Sequence, residues 1–243
     1  MKTWTLFWLS AVYMIAVSST LFAQTAIQDP MIPDGEKAVY VVTEGEKQYT
    51  YTEEVSLTGE GSRDIYGFTY KTDSETIEIK MEKPAMIPLS TRSVTTGNGI
   101  SIESSTAVTV NRQLRSNGIL VLSFTDLKYT LRGYPFGEDV EDMDVEFIST
   151  GETDEESSSS FAVSIRYRGT DEVTVNSRTI DCHKLELRMT GSGVMRVIRP
   201  FIPKTYFWYS VESPHYLVAY EGSSGMPGSV KRQVEILEYS GWN

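Results

Sequence analysis

Apolar and polar residues alternate with a period of two along most of this chain. Ile77, Ile79 and Met81 are separated by Glu78, Lys80 and Glu82, and Phe161, Val163, Ile165 and Tyr167 alternate with small or charged neighbours. Leu127, Tyr129 and Leu131 alternate in the same way with Lys128, Thr130 and Arg132. Successive side chains on a strand point to opposite faces, so each run predicts a strand with one covered and one wet face. Segments rich in Val, Ile, Thr and Tyr, set between Gly, Asn, Asp and Ser turns, add strands at 38–43, 48–57, 64–70, 100–110, 118–124, 173–177, 179–189, 194–198, 205–211, 215–220 and 229–239. No long stretch has a helical period with caps, and "GEDVEDM" is the best candidate for a helical turn.

Short connections between neighbouring strands imply antiparallel pairing. The expected fold class is therefore all-β, with little helix: a large curved antiparallel sheet that hides its apolar face by curling into a half-barrel or open barrel, with a sandwich as the other solution. "GILVLSF", "VMRVI" and "YFWYS" are apolar on both faces and belong at the centre or along an interior.

The first residues depart from this pattern. One positive charge at Lys2, an uncharged apolar run from Thr5 to Phe22 and then Ala23 make the layout of a secretory signal peptide over 1–23, cleaved after Ala23. An uncleaved helical anchor is the other reading. A lead-in segment, 24–36, carries two prolines and little periodicity, and 37–243 reads as a single antiparallel β domain. The expected location is the periplasm or the exterior, with no stable transmembrane span after cleavage and no cysteine near the cleavage site to carry a lipid.

Composition narrows the partners. The formal charge is -11, which makes nucleic acid and anionic membrane surfaces poor partners. Ten acids and no base lie between Glu138 and Glu156. Asp142, Asp144 and Glu146 alternate there with Met143, Val145 and Phe147, as on a half-buried strand, and "GETDEESSSS" reads as a solvated hairpin tip. A calcium site or a docking surface for a basic partner is the functional alternative, but EF-hand spacing is absent.

The single cysteine, Cys182, precedes one of only two histidines, His183. One cysteine excludes an intramolecular disulfide. Adjacent strand residues face opposite ways, so the pair is badly placed to share a proton or a metal. His215 could approach either after folding, yet no paired metal-ligand spacing supports zinc and no family motif supports a thiol protease. Ile180 and Cys182 share one face while His183, Leu185 and Leu187 share the other, so the strand is apolar on both sides or kinked by a bulge. No catalytic signature occurs, no cofactor is implied, and an envelope hydrolase built on paired carboxylates is the remaining enzymatic alternative. What stands out is aromatic and aliphatic surface. Tyr129, Leu131, Met195, Tyr206, Trp208 and Tyr220 are the candidate ligand-binding residues of an apolar cavity for a lipid or acyl chain. The same residues would serve an ordinary core.

The order of "DLKYTLRGYPFG", "FAVSIRYRGTDEVTVNSRTIDCHKLELRM", "PKTYFWYSVESPHYLVAYEG" and "GSVKRQVEILEY" resembles the bacterial domain of unknown function 3108 (DUF3108) family. The matching positions are Tyr167 to Val175, Ile180 to Leu187, Trp208 to Ser210 and Pro214 to Val218; the amino half matches loosely. Relatives of that family resemble the lipoprotein carriers LolA and LolB, so the resemblance implies a curved half-barrel with an apolar concave face and assigns no active residue. The expectation is a non-enzymatic exported envelope protein that binds a hydrophobic ligand or an envelope protein partner. The alternative is an interaction module with a filled core and an acidic docking hairpin.

Overall fold

The computed structural model describes residues 27–242 apart from 61–62, 98–99, 108–119, 123, 138, 150–158, 191–203 and 224–229. The signal segment 1–23, residues 151–158 of the hairpin tip, the strand expected at 194–198 and Met195 lie outside the described residues. The strands are β1 (Lys37–Glu44), β2 (Lys47–Glu60), β3 (Arg63–Lys71), β4 (Glu75–Glu82), β5 (Ile87–Gly97), β6 (Ile100–Ala107), β7 (Leu120–Leu122), β8 (Met143–Ser149), β9 (Ser159–Val175), β10 (Arg178–Met189), β11 (Thr205–Ser210), β12 (Leu217–Ser223) and β13 (Lys231–Tyr239). They form one 13-stranded sheet in the order β6, β5, β4, β3, β2, β1, β13, β12, β11, β10, β9, β8, β7. Two meanders, β1 to β6 and β8 to β13, thus meet where β1 pairs antiparallel with β13.

The sheet is the expected curved, open, all-β half-barrel, antiparallel throughout except that β7 runs parallel to β8. That exception breaks the simple meander expected at 118–124. Strand β5 has no counterpart in the sequence reading. Beyond Pro88, which is buried opposite Met81, its inward positions are Thr91 and Ser93, opposite Ile79 and Ile77, so no apolar stripe marks it.

The main correction concerns 124–133. The alternation of Leu127, Tyr129 and Leu131 predicts a strand, but Phe124–Thr130 is a helix, α1, followed by a 3-10 turn at Leu131–Gly133. Leu127 and Leu131 are also four apart, so a short period-two run fits a helical turn equally well. Asp126 sits in the first turn, and Gly133 with Pro135 stops the helix. The residues assigned to a wet face are buried as well: Thr130 is 0% and Arg132 5% exposed. Burial all round is what a helix enclosed by a curled sheet requires. The "GEDVEDM" stretch, in contrast, holds no helix among its described residues.

α1 lies against the inner face and ties its parts together. Tyr209 Oη donates to the Lys128 carbonyl at 2.8 Å, Thr130 Oγ1 donates to the Met86 carbonyl at 3.0 Å, and Tyr129 Oη donates to Glu53 Oε1 at 2.9 Å. The first of these satisfies one of the carbonyls that a helix C-terminus leaves unpaired. Tyr129 packs with Val55, Tyr66, Phe68, Ile79 and Met81, whereas Leu127 and Leu131 join the larger core of β1 and β8 to β13. The lead-in segment also packs: Ile32 is buried, and its N–H donates to Tyr66 Oη at 3.0 Å. Met143 and Val145 are buried and Asp142 and Asp144 exposed, as the alternation in the acidic run predicts.

Candidate functional site

A hollow lies beside α1 on the inner face. A pocket of about 220 Å³ is walled by Val42 of β1, Tyr49 and Tyr51 of β2, Tyr70 of β3, Glu75 and Ile77 of β4, Lys128 and Tyr129 of α1, Phe207 of β11, Leu217 and Tyr220 of β12, and Arg232 and Val234 of β13. Strand register explains the assembly. Val42 lies opposite both Tyr49 and Val234, Val234 opposite Tyr220, and Tyr220 opposite Phe207, so one inward row runs across five strands.

The polar part of this wall is built from residues in phase with the apolar stripe. The Lys128 ammonium is paired with Glu53 and lies 4.9, 5.2 and 4.7 Å from the ring centres of Tyr51, Tyr70 and Tyr129. A cation held against ring faces and a carboxylate is well compensated for partial burial. Burial first and the Glu53 charge second push the Tyr51 and Tyr129 phenols well above their ordinary range, so both stay neutral donors. Tyr51 stacks on Tyr40 at 4.9 Å and meets Tyr70 at 4.5 Å, which fixes the ring array. Arg232 Nη2 donates to Glu44 Oε2 at 3.2 Å and to Tyr49 Oη at 3.1 Å, while its Nε is buried with no hydrogen-bond partner among the described residues.

The candidate residues named from sequence divide between two faces. Tyr129 and Tyr220 line the pocket. Leu131 is 0% exposed and belongs to the larger core, outside the pocket lining. Tyr206 and Trp208 alternate with the inward Phe207 and Tyr209, so they lie on the outer face, where Lys184 Nζ stands 5.1 and 5.0 Å from their rings. Trp208 Nε1 donates to Asp171 Oδ2 at 3.3 Å. These two therefore lie outside the pocket beside α1, because an aromatic run on a strand serves both faces, although Trp208 borders a second hollow of about 260 Å³ whose lining also includes Tyr220.

Cys182 and His183 also part company. Cys182 faces Ser210 across the β10 and β11 pairing and is fully buried, with Sγ 3.3 Å from the Ile180 carbonyl. Burial pushes its thiol up to about 12, with Asp181 and Asp171 adding to the rise. Such a thiol is inert. A bulge, one of the two alternatives for this strand, is present beside it: the pairing of β10 with β9 slips between His183 and Leu185, opposite Gly169 at φ +87. Ellman's reagent is expected to leave Cys182 untouched in the native protein and to label it in denaturant, and Cys182→Ala is expected to cost about 1 kcal/mol of stability.

The fold does bring the two histidines together. His183 stacks on Phe136 at 4.2 Å and 6°, His215 meets the same ring edge-on at 5.0 Å, and the two imidazoles are 5.6 Å apart. His215 Nδ1 donates to the Ser210 carbonyl at 2.9 Å, and His183 Nδ1 shares a hydrogen bond with Tyr167 Oη at 3.1 Å. Burial, with a smaller contribution from His215, holds His183 down at about 4, and His215 is lowered chiefly by burial. No group of three or more metal-ligating side chains occurs among the described residues.

The histidine pair predicts acid sensitivity. Unfolded histidines titrate near 6.5, so below that pH the unfolded chain takes up protons that the folded pair refuses. This contribution to stability is complete above pH 6.5 and is lost as pH falls toward about 4. The loss is expected to be about 2 kcal/mol after allowing for solvent screening of the partly exposed ring. Urea midpoints measured between pH 7 and 4.5 should show it, and His183→Phe should flatten the profile.

No family model matches the chain, and no curated protein matches it. Among solved structures, the hypothetical lipoprotein YmcC from Escherichia coli is 10% identical, with 88% of this chain and 89% of that chain covered and a TM-score of 0.36. A protein with a YmcC-like fold from Bacteroides fragilis is 10% identical over 86% and 96% of the two chains, with a TM-score of 0.32. A DUF1329 family protein from Desulfovibrio piger is 10% identical over 88% and 89%, with a TM-score of 0.31. The DUF3108 label is not supported by these matches. No helix among the described residues is long and apolar enough to cross a membrane.

Proposed function

We propose that the protein is an exported, non-enzymatic binder of a small hydrophobic ligand, which it holds in the pocket between α1 and the inner face of the half-barrel. The carrying observation is the pocket of about 220 Å³, whose wall is mostly tyrosine, phenylalanine and aliphatic side chains with a few convergent charged groups. Export is supported by the signal-like layout of 1–23. The non-enzymatic reading is supported by the carboxylates themselves. Glu75 lines the wall, whereas Glu53 is engaged by Lys128 and Tyr129. A hydrolytic pair sets two carboxyl groups on either side of the substrate, and among the described residues that line the pocket Glu75 is the one carboxylate.

A filled-core interaction module is the second reading, and the packing of α1 onto the inner face is what favours it. The two separate by binding. A fluorescent acyl probe should bind the purified protein, and Val234→Phe, which fills the pocket from its wall, should abolish binding without lowering the melting temperature. Absence of probe binding, with no lipid or acyl species co-purifying from the native envelope, would sink the ligand reading and leave the module.

A further inference from the structure

The pocket's polar edge has a defined chemistry that the hydrophobic reading does not use. Arg232 lines the wall, its guanidinium fixed at one end by Glu44 and Tyr49, both bonded to Nη2. Its Nε has no accessible surface and does not face the hollow, so it is the charge of the guanidinium that bears on a ligand there. Tyr49 accepts a hydrogen bond from Arg232, and a phenol that accepts keeps its own O–H to give. Two donors, one of them charged, therefore stand side by side against an aliphatic and aromatic wall that includes Val42, Val234 and Leu217. A charged donor at an apolar wall gains most from an ionised acceptor, and the guanidinium fork matches a carboxylate in shape.

Size narrows the ligand further. A pocket of about 220 Å³ lies below the usual range for drug-sized ligands and equals about seven water volumes, which an unbranched chain of roughly six to eight carbons would fill. We infer that the pocket takes a short-chain carboxylate amphiphile, with the carboxylate on Arg232 and Tyr49 and the chain among Val42, Phe207, Leu217 and Val234. This rests on the ligand-binding reading above. Glu75 lines the wall too, so a cationic amphiphile is the competing occupant.

Isothermal titration of the full mature chain with octanoate, octan-1-ol and octylammonium decides among them. Octanoate is expected to bind about tenfold tighter than octanol, the gain of one charge-assisted hydrogen bond, and octylammonium more weakly than either. Arg232→Gln should bring the octanoate affinity down to that of octanol measured on the same variant; Arg232→Lys, which keeps the charge and loses the planar fork, should retain only part of the preference. Equal affinities for octanoate and octanol, or a preference for octylammonium, would overturn the inference while the pocket reading stood. If none of the three bound the wild-type chain, the pocket reading itself would fall. Because the wild-type comparison needs no variant, instability of Arg232→Gln would not rescue the proposal.

Discussion

Arg132→Ala is expected to destabilise the protein by about 3–5 kcal/mol, the cost of leaving a buried carboxylate without its cation. Arg132 and Glu36 are 5% exposed each and face each other in a two-pronged pair, Nη1 to Oε1 at 2.6 Å and Nη2 to Oε2 at 2.9 Å. The same guanidinium donates to the Pro214 carbonyl from Nη2 at 3.0 Å and Nε at 3.2 Å, and Tyr239 Oη donates to Glu36 Oε2 at 2.9 Å. One ion pair therefore joins the lead-in segment, the turn after α1, the turn between β11 and β12, and the last strand. Each lies far from the others in sequence, so breaking the pair frees several closures at once. Removing both charges should cost less than removing either. The double variant Arg132→Met with Glu36→Leu replaces two desolvated ions by apolar volume and leaves no charge stranded. Urea denaturation of the two single variants and the double variant tests this, and a loss below about 1 kcal/mol for Arg132→Ala would show that water replaces the missing partner.

The strands were legible where one face is apolar and the other charged. Ile77, Ile79 and Met81 declare β4, and Met143 with Val145 declares β8, since each alternation matches burial residue by residue. β5 was illegible because past Pro88 its inward residues, Thr91 and Ser93, are small and polar. α1 was misread because its interior position buries polar residues on every side, and a five-residue alternation cannot separate a strand from a helical turn. The pocket was half legible. Tyr129 and Tyr220 were found by their aromatic character, whereas Trp208 and Tyr206 carry the same character on the outer face. Glu53 and Arg232 were missed, although each leaves a trace. Glu53 alternates in phase with Tyr51 and Val55, and Arg232 with Val234 and Ile236. A charge that falls in step with an apolar stripe must be paired inside or face a ligand.

Gly133→Ala carries the second large effect, and it is almost wholly steric. A β-carbon at this position would stand 2.1 Å from the Gln28 carbonyl oxygen and 2.8 Å from Ile27 Cγ2. The first of these is backbone and cannot swing aside. The Gly133 carbonyl also accepts from the Gln28 N–H at 2.8 Å, so the contact that the methyl group would open is itself a hydrogen bond. Either the lead-in segment lifts away or the turn after α1 shifts. Lifting would strain the neighbouring links, in which Tyr66 Oη donates to Asp29 Oδ1 at 2.6 Å and accepts from the Ile32 N–H. Shifting would instead disturb Arg132, one residue away. Both routes predict a loss of about 3 kcal/mol, at the upper end of overpacking costs. They differ in where the damage appears. If the segment lifts, limited proteolysis should cut near 27–33 in the variant and spare the wild-type chain, with the pocket's ligand affinity unchanged. If the turn moves, the cleavage pattern should stay native while the acyl probe is lost, because the shift reaches Lys128 and Tyr129 through α1.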